Sequence, residues 1–122
     1  MGSSSDRWKL VRADGHVIAG EIRLAESYAA RTKGLMFDRE LLPGHGLVLT
    51  PCSSIHMFFM RFAIDVAFVD VDGKVLRVVN GIRPWRATSF VRRAKSAIEL
   101  PAGTLASNGV SVGEILSLER VE

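Results

Sequence analysis

The 122-residue chain has room for one domain and one well-buried core, and its 48% hydrophobic and 24% charged residues exclude a disordered protein. A net charge of +3 is too small by itself to imply a nucleic-acid partner, and a single cysteine, Cys52, excludes an intramolecular disulfide. Residues 1–6 carry no basic-then-apolar signal pattern, and the most apolar stretch, residues 55–71, is broken by His56, Arg61, Asp65 and Asp70 and so is no membrane span. The expectation is a cytoplasmic protein with a disordered tail over residues 1–6 and a single β-rich domain over residues 7–122.

In chain order, Asp14-Gly15 separates two strand-like runs, residues 8–13 and 16–24. An Asp-Gly pair suits a two-residue hairpin turn, whose central residues both need positive φ. Residues 26–33 read as a short helix, with Arg31 and Lys33 near its C-terminus and Gly34 as the stop. Residues 43–46 form a Pro/Gly loop, and 46–50 a strand ended by Pro51. A second hairpin joins residues 64–71 to 74–80 through Asp72-Gly73. Residues 80–88 turn irregular, 89–93 and 97–100 read as short strands, a helical turn follows Pro101-Ala102-Gly103, and 114–121 alternates apolar and polar as a last strand. Many short strands with one or two helices predict an α+β, mainly antiparallel β domain, a compact curled sheet or barrel.

If Asp72-Gly73 is the whole second loop, Val69 faces Leu76, Ala67 faces Val78 and Asp65 faces Asn80, all on one side of the sheet. Asp65 then ends an apolar face, where a carboxylate must find donors or shift its pKa upward.

Three ordered motifs resemble one family. They are Arg31-Thr32-Lys33-Gly34-Leu35-Met36, then Phe59-Met60-Arg61 with Ile64-Asp65-Val66-Ala67-Phe68-Val69-Asp70, then Ile98-Glu99-Leu100-Pro101-Ala102-Gly103 with Gly113-Glu114. They are similar to the Arg-x-x-Gly-Leu-Met, Leu-Asp-x-x-Phe-x-Asp and closing patterns of the domain of unknown function numbered 192, over about residues 24–121. The resemblance implies a compact, mainly β fold with a helix, no known reaction, and relatives of which many are exported. Where the commoner pattern has an Asn-Thr pair after the Met-basic step, this chain has Arg61-Phe62-Ala63 leading to Ile64. Cys52 ahead of Ser53-Ser54-Ile55-His56 places it with a shorter Cys-x-x-x-His subgroup.

Four constellations are candidates for chemistry or binding. Cys52 and His56, four apart, share a face on either a helix or a strand. They read as a thiol and its base, or as two ligands of a metal site completed by Asp65, His45 or His16, with Met60, Met57 and Met36 as soft donors that suit Cu(I) better than Zn²⁺. The simpler reading is a small buried thiol and a hydrogen-bonded loop histidine. Arg31, Asp65 and Glu99 read either as a cleft that holds an anion beside a carboxylate base, or as an ion pair tying helix to sheet. Arg83, Trp85, Arg86, Arg92 and Arg93, with Lys95 and Phe90, form a basic and aromatic loop, either a partner-binding segment or a solvated one. Residues 57–60, Met-Phe-Phe-Met, line an apolar pocket or pack in the core.

No Gly-rich phosphate loop, nucleophile elbow, His-Glu-x-x-His or Cys-x-x-Cys occurs. The leading expectation is therefore a non-enzymatic binding or accessory domain, monomeric or weakly dimeric, with no cofactor and with a small molecule or protein as partner. A metal- or thiol-dependent function at Cys52 and His56, with Zn or Cu as the metal, is the alternative. Weak single-stranded nucleic-acid binding through residues 83–95 is a third, which the modest charge argues against.

Overall fold

A computed structural model describes residues 6–121. The expected disordered tail lies outside the described residues, apart from Asp6, whose carboxylate meets Arg120 at 2.9 Å. The elements are β1 (Trp8–Arg12), β2 (Val17–Ala25), α1 (Tyr28–Lys33), β3 (His45–Leu49), β4 (Ile64–Val69), β5 (Val75–Ile82), β6 (Ser96–Pro101), α2 (Thr104–Ser107) and β7 (Leu116–Arg120). No described helix is long and apolar enough to cross a membrane.

Both Asp-Gly hairpins form, but each loop has three residues rather than two. Arg12 N–H bonds His16 O, and Gly15 N–H turns back to Arg12 O, both at 2.9 Å. Asp70 and Lys74 repeat the pattern, with Gly73 N–H on Asp70 O. Only the glycine takes positive φ, 90° at Gly15 and 83° at Gly73. This is a type I turn closed by a left-handed glycine, which leaves Asp in an ordinary conformation. The longer loop changes the expected register. Ala67 does face Val78, but Val69 faces Val75, and the pairing shifts again between Ile64 and Val66, so Asp65 lies beside a bulge rather than opposite Asn80. The expected strand over residues 89–93 is absent. Its Val91 N–H bonds Ser53 O in a neighbouring loop, and Arg93 turns the chain at φ 70°.

The strands make one sheet in the order β5-β4-β6-β3-β2-β1-β7. All pairs are antiparallel except β2 with β3, which α1 connects. The sheet curls until its edges meet: Val75 N–H bonds Glu114 O at 2.8 Å, and Leu116 N–H bonds Gly73 O at 2.9 Å.

The curl creates two cores on opposite faces of the same strands. Side chains alternate along a strand, so Ala67 and Val69 of β4 point inward with Val48, Ile98 and Leu100. Ile64, Val66 and Phe68 point outward with Leu47, Leu49 and Ala97. Leu105 of α2 plugs the inner core. The outer core is covered by α1, by the segment 51–63 and by the segment 83–95. The last two are zipped by backbone bonds, among them Met57 N–H to Arg86 O at 2.7 Å and Trp85 N–H to Met57 O at 2.8 Å. Because β4 is covered on both sides, its Ile64-Asp65-Val66-Ala67-Phe68-Val69 run is buried throughout.

Candidate functional site

The outer layer does not close fully over the sheet. A cavity of about 190 Å³ remains between α1 with its following turn, the loop after β3, and the outer face of β6. Local sequence explains its roof. Ser27 caps α1, its Oγ accepting the Ala30 N–H at 3.0 Å. Gly34 ends the helix, its N–H returning to Ala30 O. Leu35 then drops into the outer core. No residue of α1 itself is buried, so the helix rides above the sheet and leaves Arg31 and Thr32 on the cavity wall.

Glu99 is the floor. It sits on β6 between Leu47 of β3 and Val66 of β4, both apolar and both facing outward. Its Oε1 has no hydrogen-bond partner among the described residues. Burial without a compensating charge pushes its pKa from 4.5 up to about 8, so it is a neutral acid at pH 7.

Cys52 lines the same cavity and is half-buried. Its thiol donates to Ser54 O at 3.1 Å. Burial raises its pKa, and Glu99 adds to the rise, while the Ser54 contact and the Arg31 charge oppose it. A raised pKa is the reverse of the depression that activates a thiolate. His56 is on the wall too, but its Nδ1 accepts the Phe58 N–H at 3.2 Å. That leaves Nε2 to carry the proton of the neutral ring, and no hydrogen bond joins His56 to Cys52 among the described residues.

Of the residues expected to work together, Arg31, Cys52, His56, Met60 and Glu99 meet at this cavity. Asp65 does not. It pairs with Leu100, and period two sends both to the inner face, opposite to Glu99. Its carboxylate accepts the Gly81 N–H at 2.8 Å and the Leu105 N–H at 2.9 Å, tying α2 to the β4–β5 bulge. The cleft of Arg31, Asp65 and Glu99 thus keeps two of its three members. Without Asp65, no three His, Cys, Asp or Glu side chains gather as metal ligands among the described residues. Thr32 and Ser54 add hydroxyls that the motifs did not single out. Within residues 57–60, Met57 and Met60 pack in the outer core, and Phe58 and Phe59 are exposed. Arg83, Trp85, Arg86, Arg92 and Arg93 are all exposed, away from the cavity wall.

Known proteins share this architecture. The family model DUF192, described as an uncharacterized ACR, matches residues 9–118. A UPF0127 protein of Pyrococcus horikoshii is 40% identical over 90 residues, covering 69% of this chain and 75% of its own. One of Pyrococcus furiosus is 34% identical over 113 residues, covering 88% of this chain and 94% of its own. Among solved structures, a protein of unknown function from Novosphingobium aromaticivorans superposes with a TM-score of 0.78 at 23% identity, over 91% of this chain and 83% of that one. A protein of Sinorhizobium meliloti, described as a putative transcription regulator, superposes at 0.77 with 26% identity, over 93% of this chain and 92% of that one.

Proposed function

The chain belongs to the DUF192 (UPF0127) family of uncharacterised proteins, and on that premise we propose that this domain binds a small organic carboxylate in the cavity beneath α1. The observation that carries the reading is Glu99 itself, a cavity-lining side chain whose buried Oε1 has no partner among the described residues. A buried polar atom without a partner is costly, and a bound polar group removes that cost.

Size and charge narrow the occupant. The space of about 190 Å³ exceeds what one water needs but falls below the ~300–1,000 Å³ of drug-sized sites, so the molecule is small. Arg31 supplies a guanidinium whose one hydrogen-bond partner among the described residues is the Glu26 carbonyl at 2.7 Å. Neutral Glu99 donates a hydrogen bond without repelling an anion. A carboxylate thus meets one cation and one donor, while Leu35, Leu49 and Met60 accept a short apolar body. The raised Cys52 pKa and the absence of a His56–Cys52 bond favour this binding reading over thiol chemistry.

Cys52, the sole cysteine, reports occupancy. Its alkylation rate by iodoacetamide is measured with and without propionate, benzoate or propylamine, as a ratio at each pH. Propionate or benzoate should slow the reaction at pH 6.5, and protection should fade above pH 8 as Glu99 ionises. In Glu99→Gln the protection should persist at high pH, and in Arg31→Ala it should vanish. Protection by propylamine that grows with pH would mean that the site takes cations and that the reading is wrong.

A further inference from the structure

Outside the cavity, the outer layer carries an unusual surface. Three separate turns bring Phe37, Phe59 and Trp85 together, each aromatic residue itself in the left-handed region at φ 70°, 63° and 67°. Their rings continue into one strip. Phe37 lies 5.4 Å from Phe59, Phe59 5.0 Å from Trp85, Trp85 5.7 Å from Phe58, and Phe58 4.6 Å from His56. All four Phe and Trp side chains are exposed, from 43% at Phe58 to 59% at Trp85. Isolated exposed apolar residues are ordinary, but a contiguous run of rings marks an interaction surface.

Charge says what kind of partner fits. Two of the three segments that supply the strip, 51–63 and 83–95, hold six of the sixteen Lys and Arg residues and none of the thirteen Asp and Glu, while the third, the turn at Phe37, carries Asp38 and Glu40 beside Arg39. The rest of the chain is therefore net −3. None of the ion pairs of the described residues involves these two segments; one of them, Lys33–Asp38, borders Phe37. Arg61 follows Phe59 by two positions, and Arg83 and Arg86 flank Trp85. The modest total charge thus conceals two wholly basic segments balanced by an acidic remainder.

We propose that this strip is a docking surface for single-stranded nucleic acid, with bases against the exposed rings and backbone phosphates met by Arg61, Arg83 and Arg86. Exposed bases stack on aromatic side chains whatever their identity, and guanidinium groups fork onto phosphate. A lipid surface suits the layer less well. Five of the six cations of segments 51–63 and 83–95 are arginine, and α1 and α2, with six and four residues, offer no amphipathic helix to lie in an interface. The strip holds about four rings, the low end of single-strand site sizes. The strip meets the carboxylate cavity at His56, but this inference does not rest on that reading.

Fluorescence anisotropy with a labelled oligouridine and oligothymidine of about twelve nucleotides, and a duplex of equal length, tests it. The single strands should bind in preference to the duplex. Three phosphate contacts predict a loss of roughly 20-fold between 50 and 200 mM salt. Phe59→Ala and Trp85→Ala should each weaken binding at least ~5-fold by removing a stack, while Trp85→Phe retains it. Arg83→Ala with Arg86→Ala should weaken binding and flatten the salt dependence, and thermal melts confirm that each variant stays folded. Absent binding, binding that ignores the ring substitutions, or binding only to phosphatidylserine-containing vesicles would each overturn the proposal.

Discussion

Two carboxylates in this protein are buried to nearly the same degree and meet opposite fates. Asp65 is fully buried, and two backbone amides satisfy it. Glu99 is about as buried, yet one of its oxygens has no partner among the described residues. The consequence for stability has a definite sign. Below pH 4.5 Glu99 is protonated in both folded and unfolded chains and contributes no pH dependence. Between 4.5 and about 8 the unfolded chain releases its proton while the folded one keeps it, so stability falls as pH rises through that window and levels off above it. The slope is roughly 1.4 kcal/mol per pH unit at its steepest. Urea melts from pH 5 to 9 should show this decline in the wild type. Glu99→Gln should lack it and exceed the wild type at pH 8 by a few kcal/mol. Parallel curves for the two proteins would mean that Glu99 ionises normally.

At the scale of elements, the two hairpins share turn chemistry but not surroundings. Gly15 and Gly73 both sit in left-handed conformations, at φ 90° and 83°. A Cβ on Gly15 would meet open space, whereas one on Gly73 would lie 2.1 Å from the Leu116 carbonyl oxygen. That contact belongs to the seam where the sheet's edges join. Gly15→Ala should cost about 1–2 kcal/mol, the left-handed penalty alone. Gly73→Ala should cost about 1–3 kcal/mol more, because backbone must move to admit the methyl group. Urea unfolding of both variants separates the terms, and equal losses would deny that the seam is tight. The second hairpin's register has two causes: the glycine bulge adds a loop residue, and a second irregularity at Asn80–Gly81 opens the strand where Asp65 accepts an amide.

Across the whole molecule, one sheet serves two cores. β3, β4 and β6 separate the inner core from the outer one and are covered on both faces. The outer layer rests on them through irregular loops, and β5 and β7 close only one end of the curl. Amide hydrogen exchange should therefore be slowest in β4 and β6, faster in β1 and β7, and fastest in residues 83–95. Early exchange of β4 would contradict the two-core arrangement. The layering also places the cavity and the aromatic strip in the loop-built part of the fold, over the rigid central strands.

Much was legible in the residues themselves. Strand runs, Asp-Gly turns and the short helix read over residues 26–33 with its Gly34 stop, observed as Tyr28–Lys33, depend on neighbours a few positions apart, and local sterics, capping and side-chain alternation decide such features. The mainly antiparallel curled fold followed from the same signals. The assignment of residues 89–93 to a strand failed because β-propensity cannot see that Val91 bonds a loop instead of a sheet. The site was half legible: Arg31, Cys52, His56, Met60 and Glu99 were all identifiable, but not that Asp65 lies across the sheet from them. Which face a carboxylate takes depends on pairing between β4 and β6, some thirty residues apart, and on which covering layer reaches that face. The ring strip is more remote still, since Phe37, Phe59 and Trp85 come from three loops with no shared spacing. Sequence by itself determined most of the elements, the family and the chemical inventory. Only the tertiary structure decided which carboxylate is left without a partner, because desolvation and hydrogen-bond supply are set by long-range packing.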